Sequence, residues 1–195
     1  MKKILIVIGV LVGVFAITSL SGFHLTKENA IPGDVKLLQS IHIDKDRIAV
    51  IYKDNMDGTY GVSKLNKKFG LLYQDGGGAY GYFIEEGKPF QAMGSGTDKD
   101  SIVAVITPNN STIKYIAVGN YMEEVTPFDK YELSLNDVKS NSEKYMLQEV
   151  INNHVLFVKL GMFTEDFWTI RAFDKDGKLI ADKLFGMDAR YINWQ

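Results

Sequence analysis

The sequence predicts a mainly β fold of the β-rich α+β kind: an antiparallel sheet of hairpins with one or two short helices, preceded by an N-terminal hydrophobic helix. Short runs of Ile, Val, Tyr and Phe recur from Ile41 onward, bounded by clusters of Asn, Asp and Gly. This is the texture of strands joined by turns. Helical periodicity is largely missing from the same stretch. Only the first 25 residues, MKKILIVIGVLVGVFAITSLSGFHL, read as one long apolar helix.

Lys2 and Lys3 precede an unbroken apolar run of 14 residues, 4–17, which is the length of a signal-peptide core. Carried on to Leu25 it reaches 22 residues, interrupted only by Thr18, Ser19, Ser21 and His24, and about 20 are enough to cross a bilayer. Residues 1–25 are therefore expected to be a membrane anchor or a signal peptide, with the lipid bilayer as the partner of residues 4–25. Ser19 and Ser21 stand in a small-x-small arrangement that suits cleavage, so retention and secretion both stay open. The lysines keep the amino terminus in the cytoplasm. The expected product is a single-pass cell-membrane protein with its C-terminal domain outside, or a secreted one after cleavage. With no cysteine in the chain, lipid attachment after the leader is excluded and no disulfide staples the fold.

Residues 26–34 read as a linker, because Pro32 and Gly33 stop any helix carried over from the leader. The extracytoplasmic β-rich domain is expected over residues 35–195. Residues 35–40 suggest one helical turn before the first strand. Turns are expected at residues 44–46, 54–58 (DNMDG), 108–111 (PNNS) and 174–177 (DKDG), each between plausible strands. Ser134 and Asp137 have capping-box spacing. Tyr145, Met146, Val150 and Ile151 fall roughly on one helical face, which predicts a helix within residues 142–152. The runs 48–51 (IAVI), 103–106 (VAVI) and 155–158 (VLFV) echo one another, with second strands expected at Tyr60, Ile113 and Phe167. Such an echo suggests three hairpin modules.

Residues 31–195 hold 19 basic and 23 acidic residues, a formal charge of −4. This argues against a nucleic-acid partner. Asp75, Gly76, Gly77 and Gly78 resemble a phosphate loop only superficially, because no lysine-hydroxyl pair opens a helix after them. A turn or bulge in a sheet is the better reading. Residues 174–177 open like a calcium loop, but its twelfth position is Phe185 where a glutamate is needed. His24, His42 and His154 are scattered and form no zinc motif. Ser95 lacks the nucleophile elbow. Glu85–Glu86 and Glu123–Glu124 are adjacent pairs, which point to opposite faces when on a strand. No catalytic residue, metal site or cofactor is assigned.

The leader, Glu28 to Pro32 (ENAIP), Lys67 to Tyr73 (KKFGLLY) leading into Gly76 to Gly78, and Tyr115 to Gly119 (YIAVG) together resemble small membrane-anchored Gram-positive bacterial proteins of unknown function. The resemblance implies a surface location and names no substrate. The expected function is a binding or interaction module at the cell surface, with a protein or cell-wall partner. Its partner surface is placed on Tyr73, Tyr80, Tyr82 and Phe83, since aromatics bring large contact area at low entropic cost. The competing expectations are a cell-wall or surface hydrolase using Glu85 or Glu123, and an accessory or sensor subunit of a membrane complex.

Overall fold

The computed structural model describes Gly13 and residues 21–96, 100–120, 131–158, 168–184 and 187–192. Among these residues the chain is mainly β, with twelve strands in three antiparallel sheets and two short helices. Thr26 opens helix α1 (Lys27–Ala30) by accepting the backbone N–H of Asn29 at 3.2 Å. Strands β1 (Val35–His42), β2 (Arg47–Asp54), β3 (Tyr60–Lys68) and β4 (Leu72–Tyr82) follow as a meander, paired in chain order. A second sheet has the order β5-β6-β9, from β5 (Gln91–Ser95), β6 (Ile102–Ile106) and β9 (His154–Val158). The third sheet runs β12-β11-β10-β7-β8. It is built from β7 (Tyr115–Asn120), β8 (Tyr145–Glu149), β10 (Trp168–Phe173), β11 (Leu179–Lys183) and β12 (Arg190–Tyr191), with helix α2 (Leu135–Ser140) ahead of β8.

The apolar clusters show how the sheets stack. Ala49, Ile51 and Val62 of the meander pack on Ile102, Ala104 and Leu156 of the β5-β6-β9 sheet. From the other face of that sheet, Val103, Val105 and Phe157 pack on Ile116, Ile170 and Ala172 of the third sheet. The β5-β6-β9 sheet is therefore the middle layer, and β6 is buried at all five positions. Burial on both faces is why VAVI is a continuous apolar run with no alternation. Outside the stack, Ala30 and Ile31 cover Ile48, Val50 and Leu65 on the meander's outer face. At the opposite end, Leu135 and Val138 of α2 cover Ala117 and Phe173.

The turns at residues 44–46, 54–58 and 174–177 each join paired strands. The one at 108–111 instead carries the chain from the middle sheet to the third. Asp174 serves its own turn, its Oδ1 accepting the backbone N–H groups of Asp176 and Lys178 at 2.9 Å each. Ser134 and Asp137 form the expected capping box, with Asp137 N donating to Ser134 Oγ at 3.1 Å and Ser134 N to Asp137 Oδ2 at 2.8 Å.

Two helices expected from the sequence are strands. Within residues 142–152 the chain forms β8 (Tyr145–Glu149), because Tyr145 and Leu147 enter one apolar cluster and Met146 enters another on the opposite face. Consecutive apolar residues on a strand buried on both sides imitate a helical face. Residues 35–40 belong to β1, where a bulge between Leu37 and Gln39 breaks the alternation that would have marked a strand. The three-module reading also fails as a pairing scheme. Of the three strands that hold the echoing runs, β2, β6 and β9, only β2 pairs with the strand that follows it, whereas β6 lies between β5 and β9.

The expected N-terminal helix lies outside the described residues up to residue 20, Gly13 apart. No helix among the described residues is long and apolar enough to cross a membrane. His24 already joins the fold, exchanging backbone hydrogen bonds with Tyr73 at 2.8 and 2.7 Å along the edge of β4. The segment 26–34 holds α1 and buries Ala30 and Ile31.

The third sheet contains a buried polar cluster. Asp182 is fully buried and accepts from Arg190 Nε at 2.8 Å and from the Tyr131 hydroxyl at 2.8 Å. Arg171, its register partner on β10, is also fully buried and lies 5.8 Å from the centre of the Tyr131 ring. None of its three guanidinium nitrogens has a hydrogen-bond partner among the described residues, and the Tyr131 ring face is the contact that offsets its charge there.

Candidate functional site

Strand β4 departs twice from regular pairing with β3, between the Tyr60 and Val62 pairs and between the Ser63 and Leu65 pairs. Each time β4 carries one residue more than β3, which makes a β-bulge. Gly77 and Gly81 supply the backbone for them, with φ of +93° and +81°, values that an L side chain resists. The bulges re-aim the side chains of β4. Asp75 pairs with Leu65 on the outer face, whereas Ala79 pairs with Val62 and joins the inner cluster.

On the outer face, next to the patch that Ile31 covers, the meander leaves a cleft of about 580 Å³. Its floor is Tyr52 and Ser63 with the bulged strand carrying Asp75, Gly77 and Gly78. Residues 31–33 form one wall and Tyr80 stands at another. Asp54, Asp57 and Thr59, from the β2–β3 turn, close the far end. The volume falls within the usual range of small-molecule pockets.

Tyr52 sits deepest. Its ring lies over Gly61, its register partner on β3, so closely that a Cβ at that position would overlap it. Only 7% of Tyr52 is exposed, and its hydroxyl, which makes no hydrogen bond to protein among the described residues, is open to the cleft and not sealed from solvent. Burial, followed by the Asp75 and Asp54 carboxylates and Tyr80, pushes the phenol up to about 12. The carboxylates are each half engaged. Asp75 Oδ1 accepts from Ser63 Oγ at 2.6 Å and from Gly77 N at 3.1 Å. Asp57 Oδ1 accepts from the Thr59 backbone and hydroxyl at 2.8 and 2.7 Å, which holds its carboxyl below the usual range. Asp54 Oδ1 accepts from Met56 N at 2.7 Å.

The four aromatics expected to form one surface are divided. Tyr80 is 80% exposed and lines the cleft. Tyr73 packs half-buried against the outer-face cluster beneath α1. Tyr82 packs against the inner cluster, on the other side of the sheet. Phe83 is exposed just beyond β4. Of the glycine-rich run, Gly77 and Gly78 do line the cleft. Nothing in the sequence singles out Tyr52 or Ser63, and Asp54 and Asp57 read there only as turn residues. One signal is available, a tyrosine two residues before the DNMDG turn and a glycine three residues after it, where an aromatic ring can cover a strand glycine.

Glu85 and Glu86 are exposed in the loop after β4. Glu85 borders a recess of about 40 Å³, room for about one water molecule. Glu123 and Glu124 lie outside the described residues. Among the described residues no three His, Asp or Glu side chains converge as metal ligands do.

Comparison of the chain with protein-family models, with curated protein sequences and with solved structures finds no match in any of the three.

Proposed function

We propose that the protein is a binding module at the outer surface of a cell membrane, retained there or exported by its leader, and that the cleft beside Tyr52 receives its ligand. The observation that carries this reading is the Tyr52 hydroxyl. The Tyr52 ring is buried while its hydroxyl, unpaired with protein among the described residues, opens on a cleft with hydroxyls and carboxylates around it. A ligand seated there takes the place of water on that hydroxyl. The hydrolase reading has no comparable support, since Glu85 faces a recess too small for a sugar ring.

Binding to an array of glycans, peptides and small metabolites tests the proposal, with the wild-type protein set beside Tyr80→Ala and Tyr52→Phe. Tyr80 is exposed, so its loss leaves the melting temperature unchanged and weakens binding at least about tenfold, or about 1.4 kcal/mol. Tyr52→Phe keeps the ring over Gly61 and removes only the hydroxyl. It is expected to weaken binding while leaving stability equal or higher. A wild-type protein that binds nothing on the array, or binding indifferent to both substitutions, overturns the assignment. Tyr82→Ala is an unsuitable probe, because it opens the inner cluster and destabilises the fold.

A further inference from the structure

The lining of the Tyr52 cleft has three carboxylates and no Lys, Arg or His. None of Asp54, Asp57 and Asp75 makes an ion pair among the described residues. Each spends one oxygen on a local hydrogen bond, and no hydrogen bond among the described residues occupies the other. Like charges gathered around a partly enclosed space repel, and the repulsion is relieved when a cation enters. The carboxylates do not converge on one point as metal ligands do, and a cleft of about 580 Å³ is far larger than an ion's coordination shell. Two further groups suit an organic cation. The exposed Tyr80 ring at the mouth offers a π face, and the unpartnered Tyr52 hydroxyl accepts an N–H. Resting on the reading of this cleft as a binding site, we infer that its ligand carries alkylammonium or guanidinium groups, as a free polyamine or as basic side chains of a peptide.

Asp75→Asn isolates the charge. The Asn carbonyl oxygen still accepts from Ser63 and Gly77, so the bulge is kept while a negative charge is lost. Isothermal titration of the full-length protein in a neutral detergent, with spermidine, a capped trilysine peptide, fully acetylated spermidine and chitotriose as probes, reads the outcome. Spermidine or trilysine is expected to bind, and acetylated spermidine is not. Asp75→Asn is expected to weaken the cation at least about tenfold, and raised salt to weaken it further. Asp57→Asn, at an exposed turn, repeats the test at a second position. Tighter binding of trilysine points to a peptide source and tighter binding of spermidine to a free amine. Equal binding of acetylated and free spermidine overturns the cationic class but leaves the cleft a binding site, as does binding of chitotriose alone. Failure of both cations overturns the inference. If the array also shows no ligand sensitive to Tyr80→Ala, the binding-site reading falls with it.

Discussion

At the scale of single residues, tyrosine set against a strand glycine is a device the molecule uses twice. Tyr52 covers Gly61 across β2 and β3, and Tyr145 covers Gly119 across β8 and β7. A glycine in a strand loses packing and pays more backbone entropy than other residues. An aromatic ring laid over it restores the buried area. At Gly119 the ring faces α2 and is part of a closed cluster, whereas at Gly61 it borders the cleft. The difference is chemical as well as spatial, because Tyr52 keeps a buried phenol beside Asp75 and Asp54 that burial already holds protonated. In the folded chain this proton is released at about 12, against 10.0 when unfolded. Between these values the unfolded state binds fewer protons than the native one, so stability falls as pH rises. The Tyr52 contribution is intact below pH 10.0 and lost above about 12. Denaturation followed across this alkaline range should show a decline that Tyr52→Phe flattens. An identical decline in wild type and variant would mean that Tyr52 titrates normally.

At the scale of elements, β4 decides the site. Its two bulges turn a regular edge into one that presents Asp75 and the Gly77 N–H to the outer face while Ala79 and Tyr82 return to the inner one. Gly77→Ala tests the first bulge cleanly, because a Cβ there meets nothing within 4 Å and only the backbone conformation resists. The expected cost is about 1–2 kcal/mol, with a loss of cleft binding larger than stability alone explains. Gly70→Ala is the control, since its φ of +76° is also positive and its surroundings also open, but it sits in the β3–β4 turn away from the cleft. Equal effects of the two substitutions on binding would show that the bulge does not shape the cleft. Legibility in the sequence follows the same division between local and distant. DNMDG, DKDG and the Ser134–Asp137 cap were readable because turn and cap chemistry acts over three or four residues. The Asp75–Gly78 bulge was readable as a break in a strand. Strand pairing was not, since β6 meets β9 some fifty residues on, and no local pattern encodes that. The cleft suffers the same limit. Tyr80 and the glycines mark one strand of it, but Tyr52, Ser63 and the turn aspartates arrive from two other strands.

At the scale of the whole molecule, the start of the folded domain bears on the cleft. His24 is paired to the edge of β4, α1 follows at once, and Ile31, only 2% exposed, both covers the outer-face cluster and lines the cleft. The seven residues from His24 to Ile31 span at most about 25 Å when extended, so an anchoring leader places the cleft close to the membrane surface. For a retained leader, the pairing of His24 and the bond from Gln74 Nε2 to the Ser21 carbonyl at 3.4 Å bound the stretch left to enter a bilayer, since residues on the β4 edge do not lie inside one. Residues 4–20 remain, which is 17, at the lower limit of what spans. The segment 26–33 is therefore a structural part of the domain as well as its tether. Replacing it with a flexible Gly/Ser stretch of equal length should strip the cover from Ile48, Val50 and Leu65. Loss of the Ile31 side chain alone is worth about 2–3 kcal/mol, and one wall of the cleft goes with it. Thermal denaturation and ligand titration of that variant, beside Ile31→Ala, check the point. A replaced segment that leaves both the melting temperature and the binding intact would make 26–33 a passive linker, and would move the site's boundary back to the meander alone.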